Sequence, residues 1–282
     1  MKLKEFLRKN KFDAILFDAS GVIYSDNGIT PGATKTIKLS QEIASTYVVT
    51  NNSYSYPNYI HNHLKKAANV IINEDHIISS GHGLATDPEI LNLITNKTVY
   101  FLGRDVSKQY ILDAPIKTLT QTPENADVIV LANYTPSPNC TLLSTIINAA
   151  NQNPKIKIIC CNPDVKIRSE ETVLHVMGYY AHEIQKDIPQ KIHWYGKPYK
   201  NFSDYVEIVL KQHNITPNKR VIFFDDNIQN VVNMQNDIGI FGCWVKKTGI
   251  FHLENKNELI KKYGTPSSIV DSINLESNIT LS

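Results

Sequence analysis

Short apolar runs recur along the chain, and most of them end abruptly in polar or glycine residues. Phe12 to Phe17 is largely apolar, has the length of a buried strand, and is closed by Asp18 with Gly21 close behind. Tyr47–Val49 runs into Thr50, Asn51 and Asn52. Thr98–Leu102, Val128–Leu131 and Ile156–Cys161 repeat the pattern, the last ending in Asn162-Pro163-Asp164. Ile192–Tyr195 precedes Gly196-Lys197-Pro198. Arg220–Phe224, the strongest strand signal of the last third, meets Asp225-Asp226-Asn227 at once, and Ile240–Val245 lies beside Gly239 and Gly242. Between these runs the spacing turns helical: residues 2–9, Thr34–Ala44, Asn58–Ala68, Asp87–Ile94, Cys140–Ala149, Asn201–Gln212 and a helix beginning at Val231–Gln235.

Buried strands alternating with helices predict an α/β fold around a Rossmann-like open parallel sheet. Residues 1–81 and 191–270 carry the outer alternation and are expected to form the core domain. Residues 82–190 repeat a smaller alternation and read as an inserted α/β domain. Beyond Tyr263 the chain is polar and poorly periodic, so one weak helix and then fraying are expected, with 271–282 as a C-terminal tail.

Composition narrows the function classes. The 282 residues can bury a sizeable core. A formal charge of +2 gives no electrostatic reason for a nucleic-acid or membrane partner. The four cysteines at 140, 160, 161 and 243 show no C-x-x-C spacing, so neither a zinc knuckle nor a redox dithiol is suggested. The start, M-K-L-K-E-F-L-R-K-N, lacks the apolar core of a secretory signal, and no run approaches a membrane span. The expected location is cytoplasmic.

Four strand ends carry chemistry: Asp18, Thr50-Asn51, Lys197 and Asp225-Asp226. In an open parallel sheet the carboxyl ends of the strands line one crevice, where residues far apart in sequence can meet. Taken singly, each reads as a cap, a turn or a surface group. Together they suit phosphoryl transfer. Asp18 can attack phosphorus, and Asp225 and Asp226 can join it in holding a hard divalent cation such as Mg²⁺. Thr50 and neighbouring N–H groups can grip phosphate oxygens, and Lys197 can offset developing negative charge. His61 and His63 read as surface positions on a helix, His82 as a hinge residue, and Trp194 and Trp244 as core or cleft wall.

These stretches resemble the haloacid-dehalogenase-like superfamily, and within it the branch with a large α/β cap, which includes bacterial nucleotide and sugar phosphatases and nitrophenyl-phosphatase-like proteins. The resemblance rests on F-D-A-S-G-V-I-Y with a following P-G-A, V-V-T-N-N-S trailed by I-I-S-S-G, N-P-D at 162–164, Y-G-K-P-Y at 195–199 and V-I-F-F-D-D-N-I-Q-N. It covers about residues 12–250. It implies a Mg²⁺-dependent phosphomonoester hydrolase working through an aspartyl-phosphate on a small phosphorylated metabolite, with a homodimer through the cap as one arrangement. Asp18 would be nucleophile and metal ligand, with the Ser20 carbonyl, Asp225 and Asp226 completing the metal set. Ser20, Gly21, Thr50, Asn51, Asn52 and Lys197 would surround the phosphate. Asn162 to Asp164 would sit above the pocket, where Arg168 would meet an anionic substrate.

One departure bears on activity. The superfamily pattern has a second aspartate two residues after the nucleophile, and that position is Ser20. A serine hydroxyl cannot protonate a leaving group near neutral pH, and loss of general acid–base help typically costs about 10²–10⁴ in rate. Three readings stay open. The protein is a slow or narrow phosphatase suited to acyl or aryl phosphates; or Asp26 or a cap group supplies the proton; or hydrolysis is impaired and a phosphate-binding, interaction or phosphoryl-transfer role is kept.

Overall fold

The computed structural model describes residues 1–25, 27–53, 56–133, 138–169 and 172–282, with the backbone alone at 168, 169, 172 and 173. Two of the sequence candidates, Asp26 and the Arg168 side chain, therefore lie outside the described residues, as does Tyr54.

The outer apolar runs form a seven-stranded sheet. From one edge its strands are Ile279–Leu281, Ser268–Val270, Phe241–Val245, Val221–Asp225, Ala14–Phe17, Ser45–Thr50 and Ile77–Ser79. All neighbours pair in parallel except the edge strand Ile279–Leu281. Alternation within a strand explains why these runs must be apolar throughout. Leu16, Tyr47, Val49 and Phe223 join one buried cluster, while Ile15, Phe17, Val48, Ile222 and Phe224 join another on the opposite face. Phe17 and Phe224 are register partners whose rings stack with centroids 5.2 Å apart.

The middle of the chain builds the inserted cap around a second, five-stranded parallel sheet. Its order is His193–Trp194, Lys157–Cys160, Val128–Leu131, Thr98–Leu102 and Thr118–Thr120. An antiparallel hairpin, Lys166–Ser169 with Thr172–His175, projects beside it. The two sheets share one apolar cluster, in which Val99, Phe101 and Val130 pack with Tyr195, Phe202 and Tyr205. Helix starts follow local capping chemistry. The Asn139 side chain accepts from Leu142 N–H at the head of Cys140–Gln152, and Asn227 accepts from Gln229 N–H at the head of Ile228–Ile238.

Two elements depart from the sequence reading. The run at 192–195 was expected to resume the outer alternation, yet His193–Trp194 pairs with Lys157–Cys160 in the second sheet, and Tyr195 N–H donates to the Cys160 carbonyl at 2.8 Å. The segment after Tyr263 does not fray: Ser268–Val270 and Ile279–Leu281 enter the main sheet. The N-terminus fastens this end, with Ile279 N–H on the Met1 carbonyl at 3.0 Å and Leu3 N–H on the Ser277 carbonyl at 2.9 Å. Strands of three residues are too short to show a period, and their partners lie far off in sequence. Among the described residues no helix is long and apolar enough to cross a membrane.

Candidate active site

The carboxyl ends of the central strands open into a cavity of about 480 Å³. Asp18, Ser20, Gly21, Thr50, Asn51, Asn52, Lys197 and Asp226 line it from the core, and Asn133, Asn162, Asp164, Lys166 and Ile167 from the cap. Asp18, Thr50-Asn51 and Asp225-Asp226 thus converge as the parallel topology requires, and Lys197 joins them from the turn after His193–Trp194 of the second sheet.

Lys197 organises the floor. Its ammonium is buried and donates to Asp18 Oδ1 at 2.6 Å, Asp225 Oδ2 at 2.7 Å and the Val49 carbonyl at 2.9 Å. Asn51 fixes the backbone at that point. Its Oδ1 accepts from Lys197 N–H at 2.7 Å, and its Nδ2 donates to the Lys197 carbonyl at 2.8 Å and to Asp164 Oδ1 at 3.0 Å. One side chain therefore ties the Thr50 strand end, the Lys197 turn and the cap together.

The two adjacent aspartates are not equivalent. Asp225 is fully buried behind the cavity wall, where Asn227 N–H, Asn230 Nδ2 and Lys197 Nζ all donate to it. Asp226 faces the cavity and accepts from Ile250 N–H at 3.1 Å. Its backbone is anchored separately, because buried Trp244 donates its indole N–H to the Asp226 carbonyl at 2.9 Å.

One oxygen from each of Asp18, Asp225 and Asp226 falls within 4.8 Å of the others. Three carboxylates face one ammonium, so the fully ionised cluster carries two uncompensated negative charges in a buried setting, which is costly. Burial foremost pushes Asp18 up to about 7, against the pull of Lys197 and with a further push from Asp225. Burial, then the charges of Asp225 and Asp18, holds Asp226 far above the usual carboxylate range. For Lys197, burial works to release the proton, but the two carboxylates outweigh it and hold the ammonium above its ordinary value. An all-oxygen donor set with this charge deficit fits a hard divalent cation.

The backbone is shaped around Asp226. Gly21 adopts a φ of +83°, and a Cβ there would lie 2.8 Å from the Asp226 carboxylate. At Gly249 a Cβ would fall 1.8 Å from Asp226 Oδ2 and 2.3 Å from its Cγ. Gly249→Ala should displace this carboxylate and weaken divalent-cation affinity about 10–100-fold, the range seen when groups supporting metal ligands are lost. Calorimetric titration with Mg²⁺ checks this, and unchanged affinity would show that Asp226 does not contribute to cation binding.

Some lining residues were missed in the sequence. His63, read as a surface position, lines the cavity with Tyr59 and Tyr24, and its ring meets Tyr24 edge-on at 5.2 Å. The i, i+4 spacing of Tyr59 and His63 was the available signal. The Thr248-Gly249-Ile250 turn carried no signal of its own. Asp164 was expected only as a residue above the pocket. It lines the cavity, and burial foremost lifts its carboxyl to about 6, against the pull of Lys197 and the Asn51 hydrogen bond. His82 is not among the lining residues. Its backbone N–H donates at 3.1 Å to the hydroxyl of Ser79, which caps the helix Ser80–Thr86.

Comparison with known proteins agrees with this architecture. Residues 15–117 match the family described as haloacid dehalogenase-like hydrolase. A 4-nitrophenylphosphatase of Schizosaccharomyces pombe is 26% identical over 170 residues, covering 58% of this chain and 51% of that protein. The match thus spans about half the length of that curated relative. A possible sugar phosphatase from Cytophaga hutchinsonii superposes with a TM-score of 0.83 at 24% identity, covering 97% of this chain and 98% of that one. A glycerol phosphate phosphatase from Mycobacterium tuberculosis in complex with magnesium gives 0.77 at 13% identity, covering 99% and 78%. At these identities the structural likeness speaks to architecture, and on it the chain has the fold of the haloacid dehalogenase-like hydrolases.

Proposed function

We propose that this protein is a Mg²⁺-dependent phosphomonoester hydrolase of small phosphorylated metabolites, working through Asp18. The observation that carries the reading is the buried Lys197 ammonium bonded to Asp18 and Asp225 at the floor of a cavity that Asp226 also lines. The phosphatases among the structural and sequence relatives support it. When bound, Mg²⁺ would offset the carboxylate charge and draw a phosphoryl group towards Asp18. Asp18, Asp226 and the Ser20 carbonyl would hold it at the cavity, with Asp225 adding charge from behind the wall.

Asp18 Oδ attacks phosphorus, the bond to the leaving oxygen breaks, and an aspartyl-phosphate forms. Lys197 keeps the nucleophile oriented and stabilises the charge spread over the phosphoryl oxygens. Thr50 and the N–H groups of residues 51 and 52 take the remaining oxygens. Water then attacks phosphorus and releases phosphate, regenerating Asp18. Ser20 cannot serve the proton transfers. Of the carboxylates that line the cavity among the described residues, Asp18 and Asp226 belong to the metal set, which leaves Asp164. It gives its proton to the leaving oxygen and takes one from the attacking water.

The test is phosphate release from matched aryl and alkyl phosphates with Mg²⁺. Both should be hydrolysed, the aryl esters faster because a phenolate leaves with less need of a proton. Asp164→Asn should lower the alkyl rate about 10²-fold, the low end for loss of a general acid, with much less effect on aryl esters. Equal losses on both classes would rule out the proton-transfer role. The serine at position 20 favours a second reading, a phosphate-binding protein without turnover. Cation-dependent binding of inorganic phosphate with no release from any ester would install that reading instead.

A further inference from the structure

A second cluster of ligating side chains lies at the opposite end of the main sheet. Asp75 and His76 belong to the short turn Glu74–His76 that leads into Ile77–Ser79, and His213 caps the C-terminus of the helix Lys200–Gln212. One ligand atom from each of the three falls within 4.8 Å of the others. The cluster sits beside Thr46 and Tyr47, whereas Thr50 at the cavity is four residues after Thr46 on the same strand, about 13 Å away by strand rise.

The two imidazoles are held as ligating imidazoles commonly are, with one nitrogen engaged by the protein and the other left for a ligand. His76 Nδ1 lies 3.1 Å from the Thr46 carbonyl, which can only accept, so the proton belongs on Nδ1 and Nε2 keeps its lone pair. His213 Nδ1 lies 2.9 Å from the Tyr47 hydroxyl, and its Nε2 faces Asp75 Oδ2 at 3.8 Å. Tyr47 is fully buried and orders both rings, stacking on His76 with centroids 4.3 Å apart and on His213 at 5.7 Å. Asp75 is exposed, so its side chain can swing inward and ions can enter from solvent. Ligands at 2.0–2.1 Å from a tetrahedral ion lie about 3.3 Å apart, within reach of that swing.

The geometry points to a second metal site, formed by His76, His213 and Asp75, for a borderline-soft divalent ion of the Zn²⁺ or Co²⁺ kind. Two imidazoles and one carboxylate suit such ions and disfavour Mg²⁺, which prefers oxygen donors. Three protein ligands leave a tetrahedral ion one position for water. The ion joins the end of a core helix to the turn before an edge strand. Binding therefore favours the folded state by linkage. Tyr47 acts as a positioning residue.

The test uses full-length, chelator-treated protein in millimolar Mg²⁺, with Co²⁺ as probe. The expected result is one Co²⁺ equivalent with the intense visible bands of a four-coordinate ion, displaced by Zn²⁺, and a rise in Tm on adding Zn²⁺. His76→Gln and His213→Gln should each abolish these bands while phosphate release stays unchanged. Tyr47→Phe should weaken binding about 10-fold. Asp75→Asn, at an exposed position, keeps the test decisive if a histidine variant fails to fold. Bands that persist in the histidine variants and vanish in Asp226→Asn would assign the ion to the cavity and overturn the proposal. So would the absence of any Co²⁺ binding in Mg²⁺. Neither outcome depends on the phosphatase reading.

Discussion

Asp18→Asn should reduce phosphate release by on the order of 10⁵-fold or more, as expected when a covalent nucleophile is removed. The amide keeps the shape and can still accept from Lys197, so a loss of this size would report on chemistry rather than folding. The same substitution has a second readout, in stability. The Asp18 carboxyl is raised from 3.8 to about 7, by burial foremost. A group raised in the folded state contributes stability that is fully present below the unfolded value and is lost as pH climbs through the folded one. Metal-free wild type should therefore lose stability between about pH 4 and 7, in a window set by that shift. The asparagine variant does not titrate there and should lose less, the remaining slope coming from Asp226 and Asp164, which burial also raises. Calorimetric Tm values across this range, without divalent cations, compare the two. Parallel curves would mean that Asp18 is not held protonated by its surroundings.

The meeting of Asp18 with Thr50 and Asp225-Asp226 was legible in the sequence because a parallel sheet makes strand ends meet, and an apolar run followed by a polar residue locates a strand end without knowledge of its neighbours. Asp18, Thr50 and Asp225-Asp226 followed from that rule, whereas Lys197 comes after a strand of the second sheet and reaches the floor through the turn that Asn51 fixes. What the rule cannot supply is depth. Asp225 and Asp226 are adjacent, so along a strand end they point to opposite sides: one goes behind the wall to Asn230 and Lys197, the other into the cavity against Ile250 N–H. The turn that closes over Asp226 lies more than twenty residues later, and Gly249 is a requirement only because that carboxylate occupies the space a Cβ would fill. Asp164 was placed in the right region, but its link to Asn51 joins residues 113 apart in sequence and has no local signature. His63 misled for the opposite reason, since helical spacing assigned it to solvent and the solvent on that side proved to be the mouth of the cavity. The short strands at the C-terminus escaped because their order comes from pairing with Phe241–Val245 and with the N-terminal residues, not from any period of their own.

Ser20→Asp should raise turnover of alkyl phosphates by up to about 10²-fold, the span between the low end of a general acid's usual worth, which Asp164 supplies, and the upper end of about 10⁴, and change aryl phosphates far less. The site has room for the larger side chain, because Ser20 is exposed at the cavity. The turn that presents it is held independently of the side chain, with Gly21 N–H donating to the Tyr24 carbonyl at 2.8 Å. An added carboxylate near Asp18 and Asp226 deepens the charge deficit, so the variant should also need Mg²⁺ for stability more than wild type does. The informative comparison is with Asp164. If Asp164 now carries the proton, the double variant should turn over alkyl phosphates at the Ser20→Asp rate, so that Asp164→Asn costs about 10²-fold alone and almost nothing in the Ser20→Asp background. The two substitutions would then be strongly non-additive, as expected for groups that serve the same step. Steady-state rates on a leaving-group series in the four proteins measure this directly. A flatter dependence on leaving-group basicity in every protein carrying Asp at position 20 is the expected signature. An unchanged slope in the Ser20→Asp protein would mean that departure of the leaving group does not limit the reaction, and that the serine is tolerated because another step is slower.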